Sequence, residues 1–421
     1  MLITKTFLET LSENPSFKEY VEKLYGGGLE YQAARYKKIY DLHVATYDGE
    51  ISFYSSPGRI ELCGNHTDHN NGKVLCASIS VDTVACVTPL EGKVVVASIG
   101  YPEVVVDLND LEANSEEYGS SEALVRGVLA YYKQNGYKIG GFAATTSSDV
   151  FKGAGVSSSA SFEVLICEIL NKMYNGGVID KITKAKAAHY AESIYFGKPC
   201  GLLDQSAISL GGVSYIDFKS TVNPKVKTMD WKFDGASIVL INTGGDHCDL
   251  TSQYADIRSE MEWVASMFHV RKLRKVKEED FLASIPELQK KVSGRAILRA
   301  MHYFEENKRV EAGVKAVKSG NFKKFAAVIN GSGQSSYELL QNCYPLGDTA
   351  QRIPLGLAVS KMNGAVKAVR VHGGGFAGTI LAFVDNAGVD EYIADMKKIF
   401  GDDCVYRIGV RNEGTCKVEL S

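Results

Sequence analysis

The sequence predicts an α+β protein folded as two lobes, and three observations carry that reading. The chain has 421 residues, enough for two or three structural units at roughly 150 residues each. β-type runs fill Ile51 to Pro89 and are followed by helical periodicity. A second β-rich start then appears at Ala236, after a polar segment, Lys219–Trp231, that contains Pro224. The expected organisation is an N-terminal helical extension at 1–28, one lobe at 29–225 and a second at 226–421.

The elements follow in order. Residues 1–42 are amphipathic and helical in pattern, broken by Gly26-Gly27-Gly28. The next stretch reads as short strands, ISFYSS, VLCASIS and VACVTP, then KVVVASIG and EVVVDL. A helix is expected over Ser121–Asn135, a strand at GGFAATTSS, an apolar helix over 156–173 and another over 183–197. GGVSYIDF is a strand. In the second lobe ASIVLINTGG starts a strand, and helices are expected near 252–271, 279–291, 293–308, 320–330 and 388–400. AVKAVRVH, TILAFVD and VYRIGV are further β-type runs.

Composition narrows the function classes. Hydrophobic residues are 45% and charged residues 23%, ordinary globular usage that excludes a mostly disordered chain. The formal net charge of -3 gives no global field for nucleic acid or an anionic membrane. The 9 cysteines are irregularly spaced with no CxxC pair, which points to free thiols in a reducing, cytoplasmic setting. Cys63, Cys76, Cys86 and Cys167 read as small buried hydrophobes. MLITKTFLETLSENPSF lacks the pattern of a signal peptide, and no run of about 18 apolar residues suggests a membrane span. Glycine is high, 41 of 421, and clustered, which allows backbone to approach a ligand closely.

Four segments carry chemistry. In KGAGVSSSASFEVL (152–165), glycines and three serines run into an apolar helix whose unpaired N–H groups and dipole favour an anion. The plain alternative is a helix capped by Ser157. No GxxxxGK[ST] occurs. VHGGGFAGTILAFV (371–384) contains Gly373, Gly375 and Gly378 in GxGxxG spacing, but a β-type run follows, so a dinucleotide fold does not fit. A ligand-contacting loop or a tight hairpin between two strands fits. HGGG without GxSxG argues against a lipase-type hydrolase. SPGRIELCGNHTDHNNGKVL (56–75) crowds Arg59, Asn65, His66, Asp68 and His69 between β runs, suited to hydroxyl recognition or simply a polar turn; a third ligand for zinc is missing. GKPCGLLDQSAISLGG (197–212) places Asp204 in a small, apolar setting, where a carboxylate needs a partner or a function, or simply caps a helix or turn; Glu192 lies on the preceding helix.

Taken together and in this order, these segments resemble the galactokinase family of the GHMP-type small-molecule kinases. GRIELCGNHTDHNNG resembles the sugar signature, GAGVSSSASFE the phosphate-binding motif, CGLLDQSAISLGG the segment with the catalytic aspartate, and VHGGGFAGTILAFV the third motif. NGSGQSSYELLQNCYP is similar, more loosely, to a later segment. The resemblance runs from about residue 29 to the end. It implies the two-lobed GHMP kinase fold, with ATP and sugar at the lobe interface and Mg²⁺ beside the phosphates. It also implies ATP-dependent phosphorylation of the C1 hydroxyl of galactose. On that basis Asp204 matches the catalytic aspartate and Arg59 the arginine beside it. Asn65, His66, Asp68, Gly201 and Tyr254 match sugar positions. Gly153, Ala154, Gly155, Val156, Ser157, Ser158 and Ser159 match the phosphate loop, and Ser159 and Glu192 match the magnesium ligands. The implied partner is a small sugar, not nucleic acid or membrane, and a monomer is expected.

The sequence also departs from the family pattern. Asn65 stands where a Glu is usual, and His69 where an aromatic such as Tyr is common. INTGGDHCDLTSQY (241–254) differs too, with Asp246-His247 near a usually basic position. These changes bear on the sugar, so kinases for galacturonate, arabinose or N-acetylgalactosamine are the enzymatic alternatives. A non-catalytic sugar and ATP sensor is the alternative of another class. The intact SSSAS run, Asp204 and Arg59 argue against it.

Overall fold

The computed structural model describes residues 10–150, 155–198, 200–245 and 250–419. Two sheets organise it. The first has eight strands: β1 (Ser52–Cys63), β2 (Lys73–Pro89), β3 (Lys93–Ser98), β4 (Val104–Asp107), β5 (Phe142–Ser148), β6 (Val213–Asp217), β7 (Lys225–Met229) and β12 (Cys416–Val418). Its main path runs β12-β1-β2-β5-β3-β4, with β6 also on β2 and β7 on β6. The second sheet has four antiparallel strands in the order β11-β8-β10-β9: β8 (Ala236–Asn242), β9 (Val366–Val371), β10 (Thr379–Asp385) and β11 (Val405–Ile408).

The three short runs expected between Ile51 and Pro89 are in fact two long strands. β1 continues through Pro57 and Gly58 because the register shifts there, a bulge that accommodates the proline. β2 continues through Asp82 because that fully buried carboxylate has partners. It accepts from Arg35 at 2.7 Å, Arg411 at 3.2 Å and Tyr25 at 2.8 Å. This cluster pins two distant parts of the chain to the sheet: α2 (Leu29–Val44), which follows α1 (Pro15–Tyr25), and the segment leading to β12. The last strand of the chain thus pairs with the first sheet, Phe53 facing Val418, although its residues follow the second sheet in sequence.

Helices α3 (Ser121–Gln134), α4 (Ser158–Tyr174) and α5 (Lys181–Tyr190) cover the first sheet and share a core with Val94, Phe142 and Ala144. α5 passes into one π-helical turn, Ala191–Tyr195, and α6 (Leu203–Leu210) follows. Further on come α7 (Thr251–Ser266), α8 (Glu278–Leu288), α9 (Gly294–Lys318), α10 (Phe322–Ser335), α11 (Arg352–Met362) and α12 (Val389–Phe400). β8 is apolar on both faces because both are covered. Ile238 and Leu240 join a core with Ile60, Leu62 and Leu75 of the first sheet and with α9 and α10. Val239 and Ile241 turn the other way, toward α11 and α12. That shared core fixes the two sheets against each other, so loops from both meet at one edge. The eight described cysteines are free thiols, and no helix among the described residues is long and apolar enough to cross a membrane.

Candidate active site

Arg59 and Asp204 form the centre. Arg59 sits on β1 just past the bulge, and its backbone N–H donates to Val156 O at 3.2 Å. That contact brings the strand against the loop entering α4. Asp204 lies in the first turn of α6, where the helix dipole favours a carboxylate. The pair is bidentate: Arg59 Nε donates to Asp204 Oδ1 at 2.7 Å and Nη2 to Oδ2 at 2.8 Å. Arg59 is buried and Asp204 about a third exposed, 34%. Burial alone would raise the Asp204 carboxyl. The Arg59 charge and hydrogen bonds, with one from Ser157 Oγ, outweigh it and hold the group below the ordinary carboxylate range.

The phosphate-motif loop is built around this pair. Arg59 Nη1 also donates to Gly155 O. Ser157 is the residue before α4 and has φ 64°, with no side-chain cap bond. Its hydroxyl reaches Asp204 instead, so the capped-helix alternative does not hold and the first N–H groups of α4 stay open. Val156 is buried. Ser158 and Ser159 open the helix, and Ser159 Oγ donates to Glu192 Oε1 at 3.0 Å. Glu192 lies in the π-turn and is buried. Gly153 and Ala154, like Asp246 and His247, lie outside the described residues.

The signature loop approaches from the other side. The Asp68 carboxylate rests against Gly201: a Cβ there would fall 1.6 Å from Asp68 Oδ2, so only glycine leaves the carboxylate its place. Burial raises the Asp68 carboxyl to about 6; the His69 N–H opposes the rise and the Asp204 charge adds to it. His66 takes φ 56° and donates from Nε2 to Gly374 O at 2.9 Å. Burial lowers its ring to about 4, so it is neutral at physiological pH and keeps Nδ1 as an acceptor. The expected strand, glycine loop and strand are present as β9, 372–378 and β10. Tyr254 of α7 closes over that loop, its hydroxyl donating to Gly375 O at 3.0 Å. Gly374 leaves room for the ring, since a Cβ would meet it at 2.5 Å.

Asn65 corrects the sequence expectation. It is 1% exposed, and its amide is spent on protein. Nδ2 donates to Gly373 O at 2.8 Å and to Glu61 Oε2 at 3.2 Å, and Oδ1 accepts from Asn342 Nδ2 at 2.8 Å. It joins loops rather than offering a group to a sugar, because every polar atom it could present already has a buried partner.

Sequence reasoning missed several groups. Gln205 follows Asp204 and donates to Glu192 Oε2 at 2.6 Å. Lys198 Nζ reaches Glu192 Oε1 at 2.8 Å. Buried Glu163, one turn along α4 from Ser159, has an unpartnered Oε1. His372 Nδ1 and Thr379 Oγ1 are buried, unpartnered, and lie beside Gly155. Gln205 and Lys198 stand inside a quoted motif; their roles depend on where Glu192 falls in space.

Whether this site could hold Mg²⁺ turns on its donor set. Among the described residues no group of three or more His, Cys, Asp or Glu could hold a metal alone. Ser159 Oγ and Glu192 Oε1 offer one hydroxyl and one carboxylate oxygen. That sparse set suits Mg²⁺, which keeps waters and takes its other oxygens from substrate phosphates.

In sequence and fold the chain is similar to known proteins. Residues 41–89 match the galactokinase galactose-binding signature, and residues 123–212 match the GHMP kinases N terminal domain. The galactokinase of Pyrococcus furiosus is 31% identical over 347 residues, 82% of this chain and 90% of that protein. The galactokinase of Clostridium tetani is 28% identical over 348 residues, 82% of this chain and 86% of its own. In fold, the chain is similar to Lactococcus lactis galactokinase complexed with galactose (TM-score 0.79, 24% identity, 93% of this chain and 100% of that one). It is also similar, more distantly, to Methanococcus jannaschii mevalonate kinase (TM-score 0.61, 14% identity, 86% of this chain and 99% of that one). With an ionised aspartate locked to an arginine where the sugar signature meets the open helix end, and with a relative above 30% identity matched over 90% of its length and 82% of this chain, this chain belongs to the galactokinase family of GHMP kinases.

Proposed function

We propose that the protein transfers the γ-phosphoryl group of ATP to the C1 hydroxyl of galactose, giving galactose 1-phosphate and ADP. The observation that carries this reading is the Arg59–Asp204 pair, placed between Asp68 of the sugar loop and Ser157 of the phosphate loop. Phosphoryl transfer needs positioning and charge neutralisation more than a strong base. Asp204 is suited to that role. Held ionised by Arg59, it accepts a hydrogen bond from the attacking hydroxyl and takes its proton as the new O–P bond forms. His66 and Asp68 orient the sugar through its other hydroxyls. The open N–H groups of α4 and residues 155–159 receive the phosphates. Mg²⁺, held by Ser159 and Glu192, would neutralise phosphate charge.

Galactose as the sugar is supported by family membership and by the signature match. The Asn65 departure does not argue for another sugar, since that side chain faces protein. The test is ADP release with ATP and Mg²⁺ over galactose, galacturonate, arabinose and N-acetylgalactosamine, with phosphorus NMR of the product. Galactose should give the highest kcat/KM and a 1-phosphate. Preference for another sugar, or no ADP release with any of them, would overturn the reading. For the metal ligands, Glu192→Gln should raise the Mg²⁺ concentration for half-maximal rate; an unchanged dependence places the metal elsewhere.

A further inference from the structure

Lys198 stands beside the reaction machinery with no part in the mechanism above. The Glu192 carboxylate is almost closed to solvent, 3% exposed, whereas the Lys198 side chain is 57% exposed. Gln205 holds Oε2 at 2.6 Å. Oε1 is the remaining oxygen. It receives the Ser159 hydroxyl at 3.0 Å and, from the open side, the Lys198 ammonium at 2.8 Å. A divalent cation that takes Ser159 Oγ and Glu192 Oε1 as ligands needs the position this ammonium fills. An ammonium carries three donors and no acceptor, so it cannot itself ligate a metal. Two cations sharing one carboxylate oxygen also repel each other strongly.

We infer that Lys198 is a placeholder cation, a positioning residue that occupies the metal's place on Glu192 and yields it only when the metal arrives with the nucleotide. This rests on the reading of Ser159 and Glu192 as the metal ligands. The exchange needs little of the backbone. Lys198 N–H is anchored to Glu192 O at 3.1 Å, so the four-carbon stem can swing while the main chain stays. Phosphate oxygens that come in with the metal give the displaced ammonium a new anionic partner. A free divalent ion offers it none. The wild-type site therefore disfavours the bare metal and accepts the metal–nucleotide, while Glu192 is never left buried and unpaired.

The test is Mn²⁺ binding to the full chain without nucleotide, read from the free-ion signal in electron spin resonance, then repeated with ADP. Lys198→Met should bind bare Mn²⁺ about tenfold more tightly than wild type, from removal of one nearby like charge. Lys198→Arg, which keeps the charge, should stay within about threefold of wild type. With ADP present, the difference between wild type and Lys198→Met should shrink. Glu192→Gln serves as the control for the site itself. If it weakens Mn²⁺ binding while Lys198→Met leaves it unchanged, the placeholder role is wrong and the metal site stands. If neither variant alters binding, the metal assignment fails and takes the inference with it.

Discussion

Two polar clusters flank the signature loop, and they are finished to different degrees. Around Glu306 and Asn65 the buried groups are paired almost throughout. Glu306 accepts from Gly64 N–H at 2.8 Å and Arg309 at 2.6 Å, and also from Ser332. His302 joins Ser335 and Asn65 O, each at 2.9 Å. Arg370, fully buried, donates to Leu62 O at 2.9 Å and to Glu61 at 2.8 Å. Asn342 Oδ1 and His69 Nε2 are exceptions there among the described residues. Around Asp204 and Glu192, by contrast, Glu163 Oε1, Gln205 Oε1, His372 Nδ1 and Thr379 Oγ1 lack partners, and the central carboxylate is partly open. A buried polar atom left unpaired costs about 1–3 kcal/mol. The first cluster therefore secures the loops, and the second carries that cost at the position proposed to receive substrates. The lesson is that a motif residue's role follows from which cluster it joins, not from its place in the motif: Asn65 and Asp68 are three residues apart and fall on opposite sides of the divide.

The comparison can be broken most sharply at Asp204. Asp204→Asn keeps the shape and removes the ionised acceptor, so kcat should fall by about 10²–10⁴. Galactose binding should change much less, while the urea midpoint should fall, since the buried Arg59 guanidinium loses its counter-charge. Near-normal turnover would place the chemistry elsewhere.

A charge placed in the finished cluster should act on stability instead. Asn65→Glu puts a buried carboxylate beside Glu61 and should cost about 3 kcal/mol in urea unfolding. The ratio of galactose to galacturonate turnover should stay the same, because the side chain faces protein. A changed ratio would return Asn65 to the sugar site.

The smallest effect concerns pH. With its carboxyl raised to about 6, Asp68 gains a proton as pH falls through that value and loses an acceptor. Asp204 stays ionised there, since Arg59 holds it below the usual range. The kcat/KM for galactose should therefore fall below pH 6 by up to about tenfold per unit. Asp68→Asn should lack that acid limb. A limb that persists in the variant would belong to another group.

Much of this was legible in the sequence because it is local. The helix after the serines and the two strands flanking the glycine loop follow from periodicity and glycine placement, whereas the roles of Arg59, Asp68 and Asp204 are what the resemblance to the family motifs implies. Other features were not legible, because each depends on a partner far away in the chain. Pro57 looks like a strand end until a bulge against β2 absorbs it. Asp82 looks like a turn residue until Arg35 and Arg411 meet it inside the sheet. β12 is a three-residue strand that β1 alone defines. Asn65 reads as a recognition group until Gly373 and Asn342 arrive from the other lobe. The sequence by itself determined which chemistry is present and which loops carry it, since backbone conformation and helix ends are set by near neighbours. Only the tertiary structure decided which of those polar groups are spent on holding the lobes together and which are left for substrate. Pairing a buried polar atom is a contest among all the donors and acceptors that the fold brings within about 3 Å.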